Sequence, residues 1–191
     1  MGTPVDRNRL ENNLPAIQRF ITDHNAEGKA VFSARQPEKL SWQGIDDSAS
    51  FALGYTTSQT PVDLEDGKDI TVYEGFLEKR PGIVVPGGTV LRFVDLAPGA
   101  TSPMHRTVSL DYGVVLEGEI ELLLDSGEVR RMRRGDVAIQ RGTMHAWRNP
   151  SDKSYARMMY VLQESMPLTV AGQVLKEDYG RGMPGVPPSS A

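Results

Sequence analysis

The sequence predicts an all-β domain, a barrel or sandwich of short strands, with a short N-terminal helical arm. Three observations carry that reading. From Lys29 onward, short runs rich in Val, Ile, Phe, Tyr and Thr alternate with clusters of Gly, Pro, Asp and Asn. Turn signals recur at Asp66-Gly67, Pro86-Gly87-Gly88, Pro98-Gly99, Glu117-Gly118, Ser126-Gly127 and Arg134-Gly135. No strand–helix–strand rhythm follows, so a doubly wound nucleotide-binding fold is excluded.

Residues 1–28 read as the arm. Leu10, Leu14, Ile17, Phe20 and Ile21 recur at three- and four-residue spacing, which predicts an amphipathic helix over 9–27. Pro15 lies near its first turn and Gly28 is a C-terminal stop. Strands are expected at 29–34, 50–57, 69–76, 89–96, 111–116, 119–124, 128–132, 136–140, 145–148 and 155–163. Residues 29–178 form the barrel domain, with 29–88 extending one sheet. Residues 179–191, ending in GRGMPGVPPSSA, are expected to be a disordered tail.

Composition narrows the function. A length of 191 residues suits one domain with extensions. The longest apolar cluster, Ile120 to Leu124, is interrupted by Glu121 and falls far short of the roughly 18 residues of a membrane span. The N-terminus lacks the apolar core of a secretory signal, so a cytoplasmic protein is expected. With no cysteine, disulfides, thiolate catalysis and iron–sulfur clusters are excluded. The net charge of -4 argues against a nucleic-acid binder. Arg130, Arg131, Arg133 and Arg134 read as a solvated strand edge, where charge discourages edge pairing.

Two of the three histidines, His105 and His145, lie in glycine-punctuated β segments, Gly99–Gly118 and Gly135–Asn149. On a strand, residues two apart share a face, so His105 with Thr107, and His145 with Trp147, can point into one cavity. Asp111 returns in the next strand. Two imidazoles and one carboxylate, His105, His145 and Asp111, are a plausible set for one divalent metal such as Fe, Mn, Ni or Zn. A metal-free alternative has Asp111 raise the proton affinity of a neighbouring histidine and the pair shuttle a proton. Trp147 would stack on a ring-shaped ligand. Gln140 is placed at the cavity mouth. Arg92 and Arg157 are each expected to face solvent; an inward Arg92 would anchor a substrate carboxylate. Tyr112 is expected on the opposite, structural face. Met104, Met144, Met158 and Met159 suggest a soft cavity lining.

The two segments resemble the paired motifs of the cupin superfamily. Gly99, five residues, His105-Arg106-Thr107, three residues, Asp111, six residues and Gly118 fit the first motif's spacing. Gly142, two residues, His145, three residues and Asn149 fit the second, which here is one residue short and lacks its proline. The resemblance implies a single-domain jelly-roll β-barrel, and commonly a homodimer. HRTVSLDYG followed by QRGTMHAWRN is similar to small single-domain cupins of fungi and some bacteria, several of them associated with secondary metabolism. Cupins typically hold a metal with three His and one Glu. This chain has Thr107 at the second His position, and Asp111, shorter than Glu by roughly 1.5 Å, at the Glu position.

The resemblance implies an enzyme acting on a small polyketide-like or aromatic metabolite by lyase or isomerase chemistry: dehydration, decarboxylation or proton-transfer rearrangement. His105, Asp111 and His145 are the catalytic and metal candidates. Thr107, Trp147, Arg92 and Gln140 are the substrate-contact candidates. A metal-dependent dioxygenase and a metal-free binding protein are the alternatives.

Overall fold

The computed structural model describes residues 9–180, 182 and 186–189. In chain order the elements are β1 (Thr22–His24), β2 (Ala30–Phe32), β3 (Trp42–Gly44), β4 (Ala49–Thr56), α1 (Lys68–Glu78), β5 (Thr89–Leu96), β6 (Ser109–Glu117), β7 (Glu119–Leu124), β8 (Val129–Arg133), β9 (Val137–Arg141), β10 (His145–Arg148), β11 (Ala156–Glu164), β12 (Leu168–Val170) and β13 (Gln173–Leu175). A six-stranded sheet has the order β3-β4-β5-β11-β6-β9, and a three-stranded sheet the order β10-β7-β8. β1-β2 and β12-β13 are separate hairpins. Isolated antiparallel bridges, Thr101 to Arg148 and His105 to His145, add residues 101–105 beside β10.

The two sheets face each other as a jelly-roll barrel, and one apolar cluster fills the space between them. Val90 and Val94 of β5, Val115 of β6, Ile120 of β7, Met132 of β8, Trp147 of β10 and Met158 of β11 all belong to it. Strand alternation explains the membership: each second residue points inward and its neighbour outward. Gly113 is on the inner face of β6, and a Cβ there would lie 3.1 Å from the Tyr160 ring. A bare glycine lets that ring lie flat against the strand. Gly118, at φ +73° in the β6–β7 turn, adopts the left-handed region that glycine tolerates.

The arm is not helical. From Arg9 it runs extended over the outer face of the large sheet and pairs only at Gln18–Lys39 before β1. Leu10 N–H donates to Ser50 Oγ at 3.1 Å, Asn12 Nδ2 donates to Asp95 at 3.1 Å, and Arg19 N–H donates to the Glu38 carbonyl at 2.7 Å. Partners across the sheet thus replace the internal bonds of a helix. The apolar stripe is divided: Ile17 joins a second cluster with Leu40, Trp42, Ala52 and Phe93, while Phe20 stays exposed. Residues 1–8 of the expected arm lie outside the described residues.

The expected strand at 69–76 is instead α1. Its β-branched residues favour a strand, but Ile70 and Tyr73 are buried at helical spacing, and the Tyr73 hydroxyl donates to the Leu53 carbonyl of β4 at 2.8 Å. Packing overrides propensity here. The expected disordered tail is packed where it is described. Tyr179 and Val186 lie against the core, and Ser189 Oγ accepts the Val84 N–H at 3.1 Å. Residues 181, 183–185, 190 and 191 of that tail lie outside the described residues. The basic run falls on edge strand β8, where Arg131 and Arg133 both reach Glu119. No helix among the described residues is long and apolar enough to cross a membrane.

Candidate active site

Backbone pairing brings the two imidazoles together. His105 N–H donates to the His145 carbonyl at 2.8 Å, and His145 N–H donates back to the His105 carbonyl at 2.9 Å. Directly opposed residues place side chains on the same face, and the ring centroids lie 4.3 Å apart. His145 meets Trp147 edge-on at 5.5 Å, and Trp147 meets Tyr160 at 5.5 Å. These four rings line a cavity of about 100 Å³. Thr107, Asp111 and Arg92 also line it, with Ile45, Phe51, Ile83, Val94, Leu96 and Leu162 as apolar walls. Its apolar walls and open mouth suit a small ring that extends out of the pocket.

The hydrogen bonds assign opposite tautomers to the two rings. His105 Nδ1 lies 2.8 Å from the Pro103 carbonyl and donates to it, which leaves a lone pair on Nε2. Behind His145, Gln140 is fixed by Thr143. Gln140 Nε2 donates to the Thr143 carbonyl at 2.7 Å and its Oε1 accepts the Thr143 hydroxyl at 2.9 Å. The second amide N–H of Gln140 faces His145 Nδ1 at 2.8 Å. That contact is shorter than the 3.0 Å from Nδ1 to the Thr143 carbonyl and is too close for two opposed N–H groups. We assign His145 Nδ1 as the acceptor of the Gln140 amide, which puts its proton on Nε2 and leaves the Thr143 carbonyl to Gln140 Nε2.

Burial sets the charges. Desolvation, with the neighbouring His105, pushes the His145 pKa down to about 3. Desolvation also lowers His105, against the opposing bond to Pro103. The expected rise from Asp111 is not seen, because burial dominates both rings. Desolvation pushes the Asp111 carboxyl up to about 6, against hydrogen bonds from Ser109 and Thr107. Asp111 Oδ1 is buried with no hydrogen-bond partner. Ser109 donates to Thr107 Oγ1 at 2.7 Å, and Thr107 lies at the 3.5 Å limit from Asp111 Oδ2.

Several expectations are corrected. Among the described residues no group of three His, Asp or Glu side chains comes close enough to hold a metal ion. His105 and His145 pair on the smaller-sheet side, whereas Asp111 stands on β6 of the larger sheet and turns to Thr107. The shorter Asp, with Thr107 in place of an imidazole, leaves the donor set incomplete. The three-ligand metal reading does not fit these residues. Gln140 is not at the mouth; it is buried behind His145 and orients that ring. Arg92 and Arg157 are both buried, on opposite faces of the large sheet. Neither is solvated, because the alternation that carries Val90 and Val94 inward carries Arg92 with them. The four methionines do not line the cavity; Met158 fills the core and Met159 joins the outer cluster.

Tyr112 is exposed on the outer face, as its position requires. Asn149, the last residue of the second motif, is a buried staple. Its Nδ2 donates to the carbonyls of Leu96, Ala97 and Ser154. Tyr160 and Phe51 line the cavity without having been singled out by the sequence. Their signal is period-two alternation with Leu162 and with Ala49, respectively.

The cupin domain family matches residues 92–162, which span β5 to β11 and hold every side chain of the pair, the carboxylate and the buried arginine. Over 183 residues the chain is 49% identical to phomopsin biosynthesis cluster protein D of Diaporthe leptostromiformis, covering 96% of this chain and 97% of that protein. It is 43% identical over 170 residues to oryzines biosynthesis cluster protein J of Aspergillus oryzae, covering 89% and 95%. It is 41% identical over 162 residues to the cupin-domain-containing oxidoreductase srdB of Neurospora crassa, covering 85% and 81%. The barrel, its paired motif histidines and this near full-length similarity make the chain a member of the cupin family, related to fungal cupin-domain proteins of secondary metabolism.

Proposed function

We propose that the protein is a secondary-metabolism enzyme that moves a proton on a small carbonyl compound, as an isomerase or a lyase. The observation that carries this reading is a buried carboxylate with one oxygen, Asp111 Oδ1, lacking a hydrogen-bond partner, on the same apolar cavity as two buried imidazoles. A carboxyl titrating near 6 is matched to proton transfer near neutral pH. Asp111 Oδ1 takes the proton from the carbon beside the carbonyl. The C–H electron pair passes to the carbonyl oxygen. His145 Nε2–H, a neutral donor in an apolar pocket, stabilises the enolate oxygen. Return of the proton to another carbon completes an isomerisation. Alternatively, a β-hydroxyl leaves as water, taking up the proton that Asp111 received. His105 Nε2 accepts from a substrate hydroxyl and orients it. Trp147 and Tyr160 hold the ring and exclude water.

The relatives' names support a metabolite of a biosynthetic cluster as substrate. A second copy of the chain is the proposed partner, read out by size-exclusion chromatography with light scattering. The name of one relative, a cupin-domain-containing oxidoreductase, favours a redox second reading. Substrate-dependent oxygen uptake above the buffer rate is its signature.

The test is solvent-proton incorporation. The full chain is incubated in D₂O with 4-hydroxy-2-oxo-4-phenylbutanoate, a one-ring β-hydroxy ketone that carries a carboxylate, and deuteration and water loss are followed by mass spectrometry. The expected result is deuterium beside the carbonyl above the buffer rate, and a loss of about 10²–10⁴-fold in Asp111→Asn. Equal incorporation in Asp111→Asn, or none above buffer in the unaltered protein, contradicts the reading.

A further inference from the structure

Arg92 is a buried cation on the pocket wall with no anion of its own. Its residue is 6% exposed. It lies on β5 between the inward Val90 and Val94, opposite Tyr160 of β11. Its Nη2 donates to the Gly82 carbonyl at 2.8 Å, and its guanidinium lies over the Phe51 ring at 5.2 Å. Among the described residues no carboxylate pairs with it. A smaller cavity adjoins its other side, and the residue that closes that cavity with a charge is a second cation, Arg80.

A buried guanidinium without a counter-charge is expensive unless something completes it. Desolvation lowers its pKa only to about 10, so the charge persists at neutral pH. A carbonyl and an aromatic face occupy part of the group, and several N–H donors remain for a planar anion. The walls beside it, Phe51, Ile83, Val94 and Trp147, are apolar and suit a ring.

On the reading of this pocket as the working site, we infer that the ligand is a one-ring organic monocarboxylate, its carboxylate held by Arg92 and its ring by Phe51 and Trp147. One guanidinium balances one negative charge, so a monoanion is selected over a phosphate dianion. The carboxylate end then fixes how the reacting carbons are presented to Asp111 and His145.

The test compares benzoate with benzamide, its neutral isostere, and with inorganic phosphate, by isothermal titration of the full chain. Benzoate is expected to bind at least tenfold more tightly than benzamide, and phosphate not to compete. Arg92→Met is expected to weaken benzoate at least tenfold, to the benzamide level, and to leave benzamide unchanged; Arg92→Lys restores part of the difference. Equal binding of benzoate and benzamide to the unaltered protein overturns the inference, and so does full benzoate affinity in Arg92→Met. Effective competition by phosphate also overturns it, by showing an unselective anion site. If Arg92→Met fails to fold, the comparison of the two ligands on the unaltered protein still decides. No turnover is read in these titrations. Selective benzoate binding without deuterium incorporation therefore removes the reaction and keeps the anion site; incorporation without selectivity does the reverse.

Discussion

The two faces of the six-stranded sheet treat buried charge in opposite ways. On the outer face Arg157 is 2% exposed and meets Asp95 through Nε at 2.5 Å and Nη2 at 2.8 Å. The guanidinium also donates to the Pro15 carbonyl and lies over Trp42, while Asn12 donates to Asp95. Each charge there is answered from within the chain, and the N-terminal arm closes the arrangement. On the inner face Arg92 has no carboxylate and Asp111 Oδ1 has no donor. Both faces bear the cost of desolvating charge. The outer one recovers it in the folded protein, and the inner one leaves it open toward a cavity. A fold that satisfies one pair so fully and leaves another set unmatched marks the unmatched set as the place where a ligand completes the structure.

The sharpest way to break this comparison is to remove one arginine from each face. Arg157→Met leaves the buried Asp95 carboxylate with only Asn12 and the more distant Arg9, at 3.4 Å, and is expected to cost about 3 kcal/mol in urea unfolding. Arg92→Met removes an unanswered charge and should cost less than about 1 kcal/mol, or stabilise. Equal losses would erase the distinction.

Next in size is Asp111→Asn. Beyond the loss of turnover, it should leave stability unchanged or raised, because it replaces a carboxylate whose ionised form is poorly solvated. In the unaltered protein, kcat/KM should rise with pH through a limb near 6, the pH at which Asp111 ionises.

Acid stability sharpens the account of the imidazoles. The folded-state pKa values of His105 and His145 lie below the ordinary 6.5, so the unfolded chain binds more protons as pH falls below 6.5. Each ring then removes up to about 1.4 kcal/mol per pH unit, His145 down to about pH 3. Asp111 acts in the opposite sense. Its folded pKa near 6 exceeds the ordinary 3.8, so acidification between 6 and 3.8 stabilises by up to about the same slope. His145 and Asp111 offset each other between about pH 6 and 3.8, so the net expectation is loss of stability from pH 6.5 to about 6 and again below about 3.8, to which the lowered His105 adds. His145→Phe should make acidification less costly, and stabilising where Asp111 dominates between about pH 6 and 3.8, in urea unfolding across pH 3.5–7. The smallest effect is at the surface: Arg131→Ala, which breaks an exposed pair with Glu119 on β8, should cost less than about 1 kcal/mol and fade with salt.

Much of the barrel was legible because half-buried strands alternate. The runs at 89–96, 119–124 and 145–148 coincide with β5, β7 and β10. The histidine pair was legible because two motif spacings put each imidazole on an inward position. The arm was not legible, because its apolar spacing fits a helix, while the decisive partners, Ser50, Asp95 and Arg157, are far away in sequence. The helix at 68–78 was missed because Ile70, Thr71, Val72 and Tyr73 carry strand propensity, which contact with β4 overrules. The inward turn of Arg92 was present in its alternation with Val90 and Val94, but the cost of burying a cation argued for solvent. The role of Gln140 is hidden in the sequence, because nothing in the chain order shows that the 140–143 turn folds its amide behind His145.

The most direct test of the central arrangement is a long-range ¹⁵N–¹H correlation spectrum of the histidine rings at pH 7, with exposed His24 as the internal reference. The account predicts two neutral buried rings of opposite kind, a proton on Nδ1 of His105 and on Nε2 of His145, and a switch of the His145 proton in Gln140→Leu. Two rings of the same tautomer, or either ring as imidazolium, would contradict it.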